Sequence, residues 1–83
     1  MPIKTKKRVV LYGTLGCHLC DNAQKVLQQA QCVIPLIWHT VDIALDQNLM
    51  TQYALSIPII KLETGQLLKW PFSVLDIQGL QNT

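Results

Sequence analysis

Hydrophobic and polar positions follow two different periods along the chain, and the changes of period divide it into elements. The run Val9-Val10-Leu11-Tyr12 is short, continuous and rich in β-branched residues, which predicts a central strand covered on both faces over about Arg8 to Tyr12. Gly13-Thr14-Leu15-Gly16 interrupts it. From Cys17 the apolar positions Cys20, Ala23, Val26, Leu27 and Ala30 recur at helical spacing, with Asp21, Gln24, Lys25, Gln28 and Gln29 on the other side. That helix should end before Pro35, because a proline turns the preceding residue away from the helical region.

Leu36 to Ile43 carries large, stiff side chains suited to a second strand. Asp46 can cap a short helix over Gln47 to Ala54, whose buried face would be Leu49, Met50, Tyr53 and Ala54. Ser56-Ile57-Pro58 leads into a third strand, Ile59 to Leu62, and Glu63-Thr64-Gly65-Gln66 has the length and glycine of a hairpin turn into a fourth, Leu67 to Trp70. Pro71 stops that ladder. Ser73 and Asp76 have the spacing of a capping box, opening a last helix buried through Val74, Leu75, Ile77 and Leu80. The order βαβαββα predicts an α/β fold, a four-stranded mixed sheet flanked by helices. Strands one and two should be parallel, and strand four antiparallel to strand three.

Eighty-three residues suffice for one small core, and with 49% of them hydrophobic the chain has the material for it. Residues 1–7 are expected as a flexible basic tail and 8–83 as a single domain. The net charge of +2 comes from that start: Lys4, Lys6, Lys7 and Arg8 precede a body in which three bases face five acids. The body is slightly acidic and has no basic stripe interleaved with aromatics, so no nucleic-acid partner is expected. With no apolar run of membrane-spanning length and no signal-peptide pattern at the amino end, no membrane partner is expected either. The expected setting is the cytoplasm and the expected state a monomer. Thiols are kept reduced in that compartment, which points the three cysteines toward catalysis or metal rather than a structural disulfide framework.

Cys17-His18-Leu19-Cys20 lies between the first strand and the first helix. Spacing alone fits a dithiol redox pair or half of a metal site, which Cys32 or His39 would have to help complete around zinc or an iron–sulfur cluster. A free thiol has a pKa of about 8.5, and the thiolate is the reactive form. At a helix amino end Cys17 would face unpaired N–H groups and the positive end of the helix dipole, which favour the thiolate. Cys20, on the apolar stripe, suits the thiol that resolves a mixed disulfide. His18 either assists the thiolate as an imidazolium or is an exposed loop residue. Cys32 reads as a free thiol, His39 as a surface or packed residue, and Asp42 as a cap or turn-former.

The order of elements, Leu11-Tyr12-Gly13-Thr14-Leu15-Gly16 before Cys17-His18-Leu19-Cys20, Val41-Asp42-Ile43, Tyr53 with Ile57-Pro58, and Trp70-Pro71-Phe72 resemble the small glutaredoxin-like proteins with a Cys-His-Leu-Cys motif. The resemblance implies a minimal thioredoxin/glutaredoxin fold. It also implies a thiol–disulfide oxidoreductase that acts on protein or small-thiol disulfides, with no bound cofactor and with glutathione or a reductase as reductant. Cys17, Cys20 and His18 would be catalytic, and Ile57, Pro58 and Trp70 would meet the substrate, Pro58 following a cis bond. Glutaredoxins usually have a lysine shortly before the first cysteine and a Gly-Gly with an acid after strand four. Here the loop contains no lysine, and Trp70-Pro71-Phe72-Ser73 follows strand four. A catalytically silent thioredoxin-fold module is the remaining alternative.

Overall fold

The structure, a computed structural model, describes residues 7–80; expectations for residues 1–6 and 81–83 lie outside it. Its elements are β1 (Lys7–Gly13), α1 (His18–Gln31), β2 (Leu36–Asp42), a 3-10 turn (Ile43–Leu45), α2 (Gln47–Tyr53), β3 (Ile59–Leu62), β4 (Leu67–Lys69) and α3 (Val74–Leu80). The strands lie in the order β2-β1-β3-β4. β1 and β2 are parallel from Lys7 opposite Leu36 to Gly13 opposite Asp42, while β3 runs antiparallel to both β1 and β4. This is the expected mixed sheet with β1 inside it.

Alternation along the strands sorts side chains to two faces. Val9, Leu11, Leu36, Ile60 and Leu62 pack with Ala23, Leu27 and Ala30 of α1 and Ile77 of α3. Each leucine or isoleucine so buried stabilises the fold by about 2 kcal/mol. The other face is covered by less: Ile43, Tyr53 and Ile59 form a small cluster against which Tyr12, Leu49 and Ile57 are half-buried. Tyr12 stacks on Tyr53 with ring centroids 4.9 Å apart.

α2 is only seven residues long, so it shields one end of the sheet. Val10 is therefore half-buried, and β1 is not covered along its length on both faces as the apolar run predicts. Short helices also bury fewer positions than their composition offers. Ile77 is buried and Val74 half-buried, but Leu75 is 77% exposed, because residues two apart on a helix do not share a face. In α2, Leu49 and Tyr53 are stacked one turn apart, which leaves Met50 and Ala54 outside. The expected burial of Leu80 lies outside the described side chains. Among the described residues no helix is long and apolar enough to cross a membrane.

Candidate active site

Strand register brings the separate motifs to one edge of the sheet. Gly13 is opposite Asp42 at the end of the parallel ladder. Tyr12 is opposite Ile59, which places Pro58 beside Gly13 one step further on, and the Trp70 N–H donates to the Pro58 carbonyl at 3.2 Å. Asp42, Gly13, Pro58 and Trp70 thus form a row across all four chain segments, and α1 begins directly beyond Gly13.

Gly16 makes the turn into that helix with a φ of 78°, a conformation L side chains rarely adopt. Cys17 follows in extended conformation as the N-cap, and its Sγ accepts from the Cys20 N–H at 3.2 Å. Sulfur here takes the place that a serine or aspartate oxygen occupies in an ordinary cap. Cys17 and Cys20 are joined in a disulfide, with Cα atoms 5.2 Å apart. The two are unequally accessible: Cys17 is half-buried, whereas Cys20 is 3% exposed under the apolar face of α1. Gly13 permits this packing, since a Cβ there would lie 3.0 Å from Cys20 Sγ.

His18 is exposed at the first helical position, and its side chain makes no hydrogen bond or ion pair among the described residues. Ile57 is half-buried, Pro58 is fully buried, and the Ile57-Pro58 peptide is cis, as is Trp70-Pro71. Trp70 is half-buried and meets the Phe72 ring edge-on at 5.0 Å. Cys32 caps the far end of α1, about 22 Å of helix rise from Cys17. Among the described residues no group of three or more His, Cys, Asp and Glu side chains could hold a metal ion. Neither Cys32 nor His39 joins Cys17 and Cys20 in such a group.

Sequence reasoning missed the wall beside the pair. A recess of about 120 Å³ lies between α1 and the ends of β1 and β2, bounded by Gly13, Thr14, Cys20, Asp21, Gln24 and Asp42. Asp42 Oδ1 accepts from Thr14 Oγ1 at 3.0 Å and from the Ala44 N–H at 2.9 Å, so it caps the turn, as its sequence position suggests, and also holds the loop ahead of Cys17. The available signal was positional: Thr14 and Asp42 stand at the ends of two strands that the βαβ order makes parallel neighbours.

A thioredoxin-like sheet with a Cys-x-x-Cys pair at the strand-to-helix junction defines the class. The family described as Glutaredoxin-like domain (DUF836) matches residues 8–80, and the chain belongs to that family. Protein XcR50 from X. campestris is similar at 31% identity over 89% of this chain and 95% of that one, with a TM-score of 0.79 for its crystal structure. Its solution structure gives 0.75, covering 89% of this chain and 91% of that one. Protein Ne2328 from Nitrosomonas europaea shares the fold at a TM-score of 0.82 and 20% identity, over 96% of each chain. No curated protein matches the chain.

Proposed function

We propose that the protein is a thiol–disulfide oxidoreductase in which Cys17 attacks and Cys20 resolves, acting on protein or low-molecular-weight disulfides. The observation that carries this reading is the asymmetry of the pair. Cys17 is at the helix mouth with solvent access, and Cys20 is shielded but within bonding distance of it. The Cys17 thiolate attacks one sulfur of a substrate disulfide, forming a mixed disulfide and releasing the other sulfur as a thiolate that takes up a proton. Cys20, deprotonated, then attacks the Cys17 sulfur and releases the second substrate thiol. Two electrons and two protons pass to the substrate, and the Cys17–Cys20 disulfide remains.

Regeneration requires an external dithiol or two thiols, supplied by glutathione or a reductase in a reducing compartment such as the cytoplasm. The protein binds no cofactor in this scheme, in which His18 assists Cys17 and Ile57, Pro58 and Trp70 meet the substrate. A Cys20→Ser variant, which cannot resolve, should accumulate covalent adducts on Cys17 that reductant releases. Absence of adducts, together with a Cys17 thiol that titrates like free cysteine, would sink the proposal.

A further inference from the structure

We infer that the Cys17 site selects protein disulfides whose cysteines are flanked by apolar and basic side chains, and discriminates against anionic thiols such as glutathione. This rests on the redox reading above and narrows its substrate. Charge is the first argument. The recess beside Cys20 is walled by Asp21 and Asp42, and no lysine or arginine lines it; the Asp21 N–H donates to the Cys17 carbonyl at 3.1 Å, which puts that acid one helical turn from the attacking cysteine. Both Asp42 bonds fall on Oδ1, leaving Oδ2 without a hydrogen bond among the described residues.

The described lysines and Arg8 are placed elsewhere, and His18, although next to Cys17 in the chain, is not part of the recess lining. Lys7 and Arg8 open β1 at the opposite end of the sheet. Lys61 and Lys69 alternate with Ile60 and Leu68, which pack toward α1, so both extend from the other face. Lys25 is on α1, about 12 Å of helix rise from Cys17 and beyond the nearer Asp21. A glutathionyl group brings two carboxylates and one ammonium into this setting. Nothing at the recess compensates the excess negative charge, whereas a lysine or arginine beside a substrate cysteine would be attracted.

Exposed leucines are the second argument. Leu15 is 90% exposed two residues before Cys17, Leu19 is 49% exposed between the cysteines, and Leu55 is fully exposed in the turn leading to Ile57-Pro58. One exposed leucine means little. Leu15, Leu19 and Leu55 are each within three residues of Cys17, Cys20 or Pro58 along the chain, and the register places Pro58 beside Gly13, so the exposed leucines are carried by the segments that build the site. Their acidic neighbours make the matching occupant an extended peptide segment with leucine-like and basic residues around its cysteine.

The test uses the full reduced protein and four disulfides: symmetric dimers of Lys-Leu-Cys-Leu-Lys, Asp-Leu-Cys-Leu-Asp and Lys-Gly-Cys-Gly-Lys, and oxidised glutathione. Second-order rates at low and high salt should favour the Lys-Leu dimer over glutathione and over the Asp-Leu dimer by about tenfold, with the second margin shrinking in salt. Asp21→Lys should narrow the Lys-over-Asp margin. The double variant Leu15→Ser, Leu55→Ser should narrow the Leu-over-Gly margin, and because both leucines are exposed it leaves the core intact. Oxidised glutathione reacting as fast as the Lys-Leu dimer, or margins untouched by these variants, would overturn the substrate class while leaving the redox reading standing. If no disulfide reacts, both fall.

Discussion

Thr14 Oγ1 donates a 3.0 Å hydrogen bond to Asp42 Oδ1, tying the loop ahead of Cys17 to the end of β2, 28 positions further on. The same oxygen accepts from the Ala44 N–H, so one carboxylate holds the entry to the cysteine pair and the turn out of the neighbouring strand. Thr14→Val keeps the shape and removes the donor. The bond is partly buried, and its loss should cost about 1 kcal/mol in urea unfolding. Thr14→Ser, which retains the hydroxyl, should recover most of that. Equal losses in both variants would mean that the hydroxyl contributes nothing.

Gly13→Ala tests the close approach of β1 to the pair. The added Cβ would lie 3.0 Å from Cys20 Sγ. In the oxidised protein that sulfur is bonded to Cys17 and cannot rotate away; in the reduced protein Cys20 can change rotamer. The substitution should therefore destabilise the oxidised form more, by about 1 kcal/mol, and make the pair easier to reduce by roughly 20 mV. Equilibration against dithiothreitol buffers reads the shift, and a potential that moves the other way would contradict the packing argument.

Much of this organisation was legible in the sequence where an element is long or its cap is chemically specific. The stripe Cys20, Ala23, Leu27 and Ala30 is buried as its spacing predicts, because fourteen residues give several turns in which chance and pattern separate. Asp46 accepts from the Asn48 and Leu49 N–H groups as an N-cap should. The seven-residue helices were less readable: one turn more or less of contact decides whether Met50 or Leu75 is covered, and that depends on neighbours far along the chain. The recess was illegible for a related reason. Asp42 meets Thr14 only through the β1–β2 register, and Asp21, a plain solvent-side residue of α1, becomes part of a wall only once β2 is beside it. The Trp70-Pro71 bond was read from sequence only as the end of a ladder.

The start of α3 offers a stability test separate from the cysteines. Asp76 Oδ2 accepts from the Ser73 N–H at 2.8 Å, and Ser73 Oγ accepts from the Asp76 N–H at 3.2 Å, a reciprocal cap built with the shorter acid. Ser73→Ala should lower stability by about 1 kcal/mol in urea unfolding. Leu75→Gln, on the exposed side of the same helix, should change it by less than about 0.5 kcal/mol. A large loss from Leu75→Gln would mean that the outer face of α3 is covered in solution.

His18, between the two cysteines, and Asp21, directly after them, act on the Cys17 thiolate in opposite senses when the imidazole is protonated, and their removal should move the redox potential in opposite directions. Stabilising the Cys17 thiolate stabilises the reduced form, which makes the disulfide the stronger oxidant. A protonated His18 beside Cys17 acts that way, so His18→Ala should make the potential more negative. Asp21, in the first turn of α1, partly offsets the positive end of the helix dipole, so Asp21→Asn should make it less negative. Both side chains are exposed and screened, which limits each shift to roughly 5–20 mV. The double variant should fall near the sum. Shifts of the same sign would show that helix geometry, rather than these charges, sets the potential. No shift in His18→Ala would leave that histidine without a part in tuning the pair.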